Sequence, residues 1–526
     1  MRKLMICGLA LGLALACLPV RAENKPPSAV VNAADYPDLQ AAVDALPYLG
    51  GIINLPPGTY TLKKPLNLSD TYNSGQKTRW ITLQGSGKIN TVIAGDFPDQ
   101  PLVDATCAGY LTIRDLTFSG KCKTLWLSAR RQGAGGGGNV FENCMFRGDF
   151  APVTIWLIGS ECNRFINCEI YNSTTNGVCV AFLPVKHFTA RGVDYGIESP
   201  YVGPDMTGSS TTELRFYGCS LHSWGLNSIG LYAQGSTADI SISGGYNSNC
   251  GFASIYLDGT NANVGDSAFR DLRIEGETGL YCLYATGAVR NVTIESGDWG
   301  SAGEVIRYEG ATTGFSANSG AEGWTIHNTS LTIQDQSVRA PDKSGALCKL
   351  SRDQRAILRL DRMANCRIEN IWVRAYQILR VPKAPAPAAS TVPAPAADHG
   401  TVIQNQPFAT EDKLEYYHPK LVVCSDWARS CTIQAGTAAD VVLPPGAQAN
   451  RLDALYDDGG AVRRTYLSGG AHPDLFNLAP VDVQTLTAPK AGDLAMDSGK
   501  LRGDGVPCLV YYNGKSWVPC GAPAPK

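Results

Sequence analysis

Apolar and polar positions alternate in short runs along the first two thirds of the chain, and Asn, Asp or Gly punctuates the runs. One pattern recurs: an apolar residue, any residue, Asn/Asp/Gly, then apolar, any, apolar. It stands at 113–118 (Ile-Arg-Asp-Leu-Thr-Phe), 141–146 (Phe-Glu-Asn-Cys-Met-Phe), 165–170, 216–221, 269–274, 289–294 and 363–368. Most steps between copies are one, two or three multiples of a unit of roughly 25 residues. The polar residue marks a turn, because Asn, Asp and Gly tolerate left-handed backbone angles. The alternation after it predicts a strand, with Cys144/Phe146, Cys168/Ile170 and Cys219/Leu221 facing inward.

A second pattern runs with a similar period. It reads Gly-Leu-Tyr-Ala-Gln-Gly at 230–235, Ser-Ile-Tyr-Leu-Asp-Gly at 254–259, Cys-Leu-Tyr-Ala-Thr-Gly at 282–287 and Val-Ile-Arg-Tyr-Glu-Gly at 305–310. Two columns with one period predict an all-β solenoid. A single coil cannot bury its own apolar face, so stacking must supply the core. Cys144, Cys168, Cys219 and Cys366 then read as small apolar core residues.

The start of the chain carries a resemblance. Residues 38–46 (Asp-Leu-Gln-Ala-Ala-Val-Asp-Ala-Leu) and 50–60 (Gly-Gly-Ile-Ile-Asn-Leu-Pro-Pro-Gly-Thr-Tyr) resemble the capping helix and first coil of the pectate-lyase-like superfamily. That group includes pectate lyases, polygalacturonases, alginate-acting enzymes and phage tailspike depolymerases. The resemblance implies a right-handed parallel β-helix with an N-terminal capping helix and a polysaccharide partner. The fold hosts many chemistries, so the reaction must be argued from the site. Here the sequence departs from known members. The polygalacturonase motifs Asn-Thr-Asp, Gly-His-Gly and Arg-Ile-Lys and the pectate-lyase Trp-Ile-Asp-His are absent, and the lone Asp-Asp pair is Asp457-Asp458. Between Lys123 and Lys343 only Lys186 remains, so a lyase would lean on Lys186, Arg191, a tyrosine or a histidine.

Residues 1–22 read as a secretory signal, with Arg2 and Lys3 before an apolar run and Val-Arg-Ala at the cleavage site. Lipidation at Cys17 fits poorly, because Ala14 and Leu15 precede it at the selective positions. The expected location is therefore secreted or periplasmic, with no membrane span. Cys7 and Cys17 leave with the signal, and an odd number of cysteines remains. Export permits disulfides, and Cys424 with Cys431 and Cys508 with Cys520 are near enough in sequence to be local bridges. The expected domains are the signal at 1–22, the β-helix at 23–378, a Pro/Ala linker at 379–400 and a small β-rich domain at 401–526. That last part ends in a hairpin at 508–520, with Tyr511, Tyr512 and Trp517 as binding or core aromatics. Charges balance, with 45 Lys+Arg against 47 Asp+Glu, and no basic run exists, which argues against nucleic acid as the partner. No motif points to a cofactor or metal, calcium included, and nothing specifies an oligomeric state.

The function these features predict is an exported polysaccharide-acting enzyme, a glycoside hydrolase or polysaccharide lyase. The alternative is a non-catalytic glycan-binding or adhesion protein. In the second pattern, period-two alternation puts Tyr232 and Gln234, Tyr256 and Asp258, Tyr284 and Thr286, and Arg307 and Glu309 on the outer face. Tyr232, Tyr256 and Tyr284 would stack on sugar rings, with Gln234 bonding hydroxyls. Asp258 and Glu309, two coils apart, would be acid and base at about 10 Å, near the upper end for inverting hydrolysis, with Arg307 tuning one of them. In the first pattern the outward position holds Arg147, Tyr171, His222, Glu275 and Glu295. Glu275 and Glu295, on neighbouring coils about 5 Å apart, would form a retaining pair, with His222 as a base. Asp194, Glu198 and Asp205 lie in a longer excursion that would wall the groove, and His187, like His222, would be a general base.

Overall fold

The computed structural model describes residues 29–69, 79–129, 136–182, 187–190, 193–198, 211–235, 237–276, 279–311, 319–333, 355–373, 376–379, 414–417, 419–435, 440–444, 447–448, 450–454, 464–468, 494–497, 508–512 and 515–519. The signal segment, Lys186, Arg191, Asp205, Asp457-Asp458 and Cys520 lie outside them.

The chain winds as a parallel β-helix. Each full coil carries three strands, and each strand pairs in parallel with its counterparts one coil before and one coil after. On the first face Val140–Glu142, Arg164–Ile166, Thr211–Tyr217, Thr237–Ser243, Ala268–Arg270 and Thr293–Glu295 stack in order. On the second face the order is Met145–Gly148, Glu169–Asn172, Ser220–Ser223, Tyr246–Ser248, Arg273–Gly276 and Asp298–Ser301. On the third it is Val153–Ile158, Val178–Phe182, Ile229–Gln234, the start of Ala253–Gly265, Tyr281–Arg290 and Glu304–Glu309. The short helix Leu39–Asp44 forms in the stretch that predicted one. Asp38 caps it by accepting from the Ala41 amide at 2.8 Å, and Leu39, Ala42 and Val43 pack into the solenoid's interior.

The turn chemistry follows the sequence. Asp115, Asn143, Asn167, Gly218, Gly244, Asp271 and Ser296 stack between the first and second faces, all at positive φ. Each donates its amide across the coil boundary, as Asn143 does to the Ile166 carbonyl and Asn167 to the Tyr217 carbonyl, both at 2.8 Å. Side chains add to the ladder: Asn143 Nδ2 donates to Asp115 Oδ1 at 2.7 Å. Replacing Asn143 with Ala should therefore cost roughly 1–2 kcal/mol for the left-handed backbone alone. Asn143→Gly should cost less, and denaturant midpoints of the two variants check the order.

A second ladder, between the third and first faces, holds Asp266, Asn291, Gly323, Asn365 and Ser430. This corrects the register read from sequence. The pattern copies at 289–294 and 363–368 turn at Asn291 and Asn365 and belong to this second ladder. Both turns demand the same thing, a left-handed residue between inward apolar ones, so one short pattern matches both. Phe269 pairs with Ile294, and the true counterpart of Asp271 is Ser296. The core cysteines divide accordingly. Cys144, Cys168 and Cys219 share one column, whereas Cys366 stacks on Cys431 in another.

Inside, Phe141, Phe165 and Phe216 stack ring on ring, at 4.6 and 4.9 Å with interplanar angles of 6° and 14°. Cys424 and Cys431 are free thiols, not a bridge. The Ser430 turn separates them: Cys424 pairs with Leu360 on the third face, and Cys431 stacks on Cys366. Burial pushes the Cys122 thiol up to about 11 and the Cys250 and Cys424 thiols up to about 12, which suits core filler rather than nucleophiles.

The solenoid does not end at 378. Lys420–Arg429 pairs in parallel with Ala356–Ala364, Thr432–Ala435 with Arg367–Val373, and Asn450–Ala454 with Thr432–Ala435. The expected separate domain from 401 thus contributes further coils. Tyr376–Leu379 and Leu414–Tyr417 pair as an antiparallel ribbon, and the Pro/Ala stretch, which falls between them in sequence, lies outside the described residues. The chain's last described strands, Leu494–Asp497, Cys508–Tyr512 and Trp517–Pro519, form a separate antiparallel sheet. In it Tyr512 pairs with Trp517, as the hairpin reading expected. No helix among the described residues is long and apolar enough to cross a membrane.

Candidate functional site

The third face carries the row Tyr232, Tyr256, Tyr284, Arg307 and, two positions on, Gln234, Asp258, Thr286, Glu309, in the register the sequence predicts. These side chains do point away from the coil interior, yet most of them are not open to a ligand. Tyr232, Tyr256 and Tyr284 are at most 3 % exposed and sit in a second apolar cluster with Trp156, Ile229 and Phe252. Successive tyrosine rings meet edge to face at 4.9 Å, so no ring face is offered to a sugar. Gln234 is buried as well. Asp258 is 5 % exposed and its oxygens are occupied: Tyr232 Oη donates at 2.7 Å, Gln234 Nε2 at 3.2 Å, and Thr260 gives its amide and hydroxyl. Glu309 lies two coils from Asp258, with Thr286 between, and accepts from the Tyr284 hydroxyl and from Arg307 Nε at 3.3 Å. Arg307 also meets Asp361 at 3.2 Å. Burial works against the Arg307 charge, but Asp361, Glu309 and Glu304 outweigh it and raise its pKa. Asp258, Glu309 and Arg307 are therefore a packed polar network. Asp258→Ala should destabilise the fold by about 1–3 kcal/mol, because it strands the donors of Tyr232 and Gln234. A denaturant midpoint equal to the parent protein's would contradict this.

The second carboxylate pair does not form either. Glu275 stands on the second face between Ser248 and Gly300. Glu295 stands on the first face between Arg270 and His327, with ion-pair distances of 3.3 and 3.7 Å. The register correction above separates them.

What the second face does assemble is a continuous polar and aromatic strip. Its outward row runs Arg147, Tyr171, His222, Ser248, Glu275, and the row two positions earlier runs Glu169, Ser220, Tyr246, Arg273. The Tyr171 and His222 rings stack at 4.9 Å and 13°, and Trp224 lies nearly parallel to both at 5.7 and 6.2 Å. Trp224 is 48 % exposed. Tyr171 Oη donates to Glu169 at 2.7 Å, and Lys88, reaching over from an earlier coil, ion-pairs with the same carboxylate. Burial alone would raise the Glu169 carboxyl. Hydrogen bonds from Lys88 and Tyr171 outweigh it and hold the group below the usual carboxylate range. Burial, then the bond to Glu169, push the Tyr171 phenol up to about 12. Burial lowers the His222 pKa, with the Glu169 charge pulling the other way, so the ring is neutral near pH 7. Its Nδ1 bonds Ser248 Oγ at 2.7 Å, and among the described residues no partner engages Nε2. Tyr246 hydrogen-bonds Glu275, and the Arg273 guanidinium lies over the Tyr246 ring at 5.6 Å.

No family model and no curated protein matches this chain. Solved structures do. The A-module of the mannuronan C-5 epimerase AlgE4 of Azotobacter vinelandii is 14 % identical over 65 % of this chain and 95 % of its own, with a TM-score of 0.38. The Dettilon tailspike protein is 11 % identical over 92 % and 76 %, at 0.47. A GH87 α-1,3-glucanase from Streptomyces thermodiastaticus is 12 % identical over 66 % of each chain, at 0.33. At these identities and scores the likenesses carry no argument about this chain.

Of the residues picked from sequence, the structure brings His222, Tyr171, Arg147 and Glu275 onto one strip. It leaves Glu295 on another face and buries Tyr232, Gln234, Tyr256, Tyr284 and Asp258. His187 and the excursion's Asp194 and Glu198 fall on an antiparallel pair, His187–Ala190 with Val193–Glu198. Among the described residues no group of three or more His, Cys, Asp or Glu is placed to hold a metal ion. Sequence reasoning missed Glu169, Trp224, Tyr246 and Ser248. The coil of Tyr246 and Ser248 breaks the repeat pattern at Gly245, where an apolar residue is expected. A Cβ at Gly245 would lie 2.0 Å from the Cys219 carbonyl oxygen. The turn glycine Gly244 was the available signal.

Proposed function

We propose that this is an exported protein acting on an acidic polysaccharide laid along the second face, with His222 as the base that removes the proton on the carbon beside a sugar carboxylate; the C–H electron pair becomes a C=C bond, the glycosidic C–O bond on the next carbon breaks, and the departing oxygen takes a proton from solvent water. The observation that carries the reading is the His222 ring: held neutral, clamped between Tyr171 and Ser248, and only partly buried. Arg147 and Arg273 lie two coils away on either side of it and supply the positive charge that an acidic polymer needs. Coils stack about 4.8 Å apart, so the two arginines are spread over roughly 20 Å of surface. Elimination is favoured over hydrolysis because neither pair of carboxylates singled out from sequence can act on one sugar bond. Asp258 is buried, and Glu275 and Glu295 stand on different faces.

The titratable and charged groups around the ring are Tyr171 and Glu169 on the preceding coil, Lys88 behind them, and Tyr246, Arg273 and Glu275 on the following ones. With the His222 pKa below the ordinary 6.5, the base form persists to lower pH than for a free histidine. Turnover should hold as pH falls to 6.5 and drop only below it. A rate that already halves above 6.5 would argue for another base.

The deciding experiment incubates the mature protein with acidic and neutral polysaccharides and weighs the fragments. Fragments lacking an added water, from acidic substrates only, support the proposal. Fragments carrying added water would sink the elimination reading. The half-exposed Trp224 favours one second reading, a glycan-binding protein without turnover. No fragments, together with glycan retention lost in Trp224→Ala, would establish that instead.

A further inference from the structure

The second face begins well before its aromatic strip. Thr61, Ala94, Ser119, Arg147, Tyr171 and His222 pair in register, one per coil, and form a single outward row. At about 4.8 Å per coil, Thr61 stands roughly 24 Å from His222 along the solenoid. At that end of the face a cavity of about 480 Å³ opens beside the start of the capping helix, with Thr61 in its wall. Its size falls in the range of ordinary small-molecule sites, about 300–1,000 Å³.

The wall offers two kinds of surface. Tyr36, Tyr60 and Leu62 are half-buried against the core and give it an apolar side. The Tyr60 ring is fixed, because its hydroxyl donates to the Pro56 carbonyl at 3.0 Å. Lys63 and Lys64 give it charge, and both are exposed. Neither lysine has a hydrogen bond or ion pair among the described residues. Cations further along the solenoid are matched: Lys88 pairs with Glu169, Arg147 lies 3.8 Å from Asp149, and Lys121 sits over the Phe150 ring at 5.2 Å. Asp38 is the one carboxylate among the described residues of the wall, and its Oδ1 already accepts the Ala41 amide at 2.8 Å. Two ammonium groups against one carboxylate leave the cavity with an excess of one positive charge. Such a site fits a sugar that carries a carboxylate: the ring's C–H face packs on tyrosine, and the carboxylate meets the ammonium groups.

We propose that this cavity binds an acidic sugar of the same polysaccharide, five coils from His222, so that the protein grips a long chain at two places along one face. The identity of the ligand rests on the reading of the second face as an acidic-polysaccharide site. The chemistry stays at His222, and the cavity adds affinity only for chains long enough to span the interval.

The test compares the full-length mature protein with its Lys63→Gln/Lys64→Gln variant in equilibrium binding to polygalacturonate, polyglucuronate, polymannuronate and a neutral glucan. Both lysines are exposed, so the melting temperature should not change. The variant should bind the acidic polymers about three- to tenfold more weakly, as the loss of two partly exposed ion pairs implies. The gap should close near 1 M salt, where the screening length falls to about 3 Å. Lys63→Arg/Lys64→Arg should bind like the parent protein, and so should Lys515→Gln, which removes an exposed charge from the separate C-terminal sheet. Turnover of di- and trisaccharides, too short to reach the cavity from His222, should be equal in parent and variant. Unchanged polymer binding in Lys63→Gln/Lys64→Gln overturns the proposal, and so does an equal loss for short and long chains. Unchanged binding together with His222-dependent fragments would defeat the cavity and leave the proposed function standing. Binding that depends on the two lysines, with no fragments from any acidic polymer, would do the reverse. A parent protein that binds none of the three acidic polymers would overturn both.

Discussion

His222→Gln should lower turnover of an acidic polysaccharide by ~10²–10⁴-fold, the range that a positioned general base contributes. Glutamine keeps much of the ring's size and a polar end near Ser248, so the stack on Tyr171 thins but the coil remains. The melting temperature should therefore change little while kcat collapses and KM stays close to its original value. That split matters, because Trp224→Ala should do the opposite: Trp224 has no group that takes or gives a proton in the reaction, and its half-exposed ring stacked beside Tyr171 and His222 is the proposed sugar platform, so KM should rise while kcat holds. A His222→Gln protein with unaltered kcat would remove His222 from the chemistry and return the strip to a binding role.

Phe165→Ala should cost about 3–5 kcal/mol of stability, the usual penalty for deleting a fully buried aromatic ring. Phe165 is fully buried and lies between Phe141 and Phe216, so its loss opens a void that both neighbours line. The solenoid limits repair. Each coil touches only the coils next to it, and the backbone ladders on three faces hold the coil spacing near 4.8 Å, so the gap cannot close by sliding. Phe165→Leu fills most of the space and should cost under about 1.5 kcal/mol. Denaturant unfolding of both variants measures the difference. If Phe165→Ala unfolds with Phe165→Leu, the void costs nothing and the coil spacing is not rigid.

Sequence by itself determined the solenoid, and for a physical reason. A left-handed turn residue, followed by alternation, constrains the backbone locally, so Asn143 and Asn167 announce their coils without help from distant residues. It also placed Tyr171 and His222 correctly in one row, because both belong to intact copies of the same turn pattern. Three things needed the tertiary structure. The first was register: two turns per coil impose the same local demand, so Asn291 and Asn365 imitate the first ladder, and only pairing shows that Glu295 faces Arg270 rather than Glu275. The second was exposure. Alternation says which side of a strand a residue takes, and Tyr256 and Asp258 do leave the coil interior. Whether that side is covered depends on packing against it, and here it is buried as a second apolar layer. The third was continuity: residues 420–454 lack a recognisable repeat, since Ser430 takes the turn and they stand far in sequence from the last pattern copy at 363–368, yet parallel pairing with Ala356–Ala364 places them in the same solenoid. Local turns are written in local residues, whereas which face meets solvent is a property of everything else that packs on it.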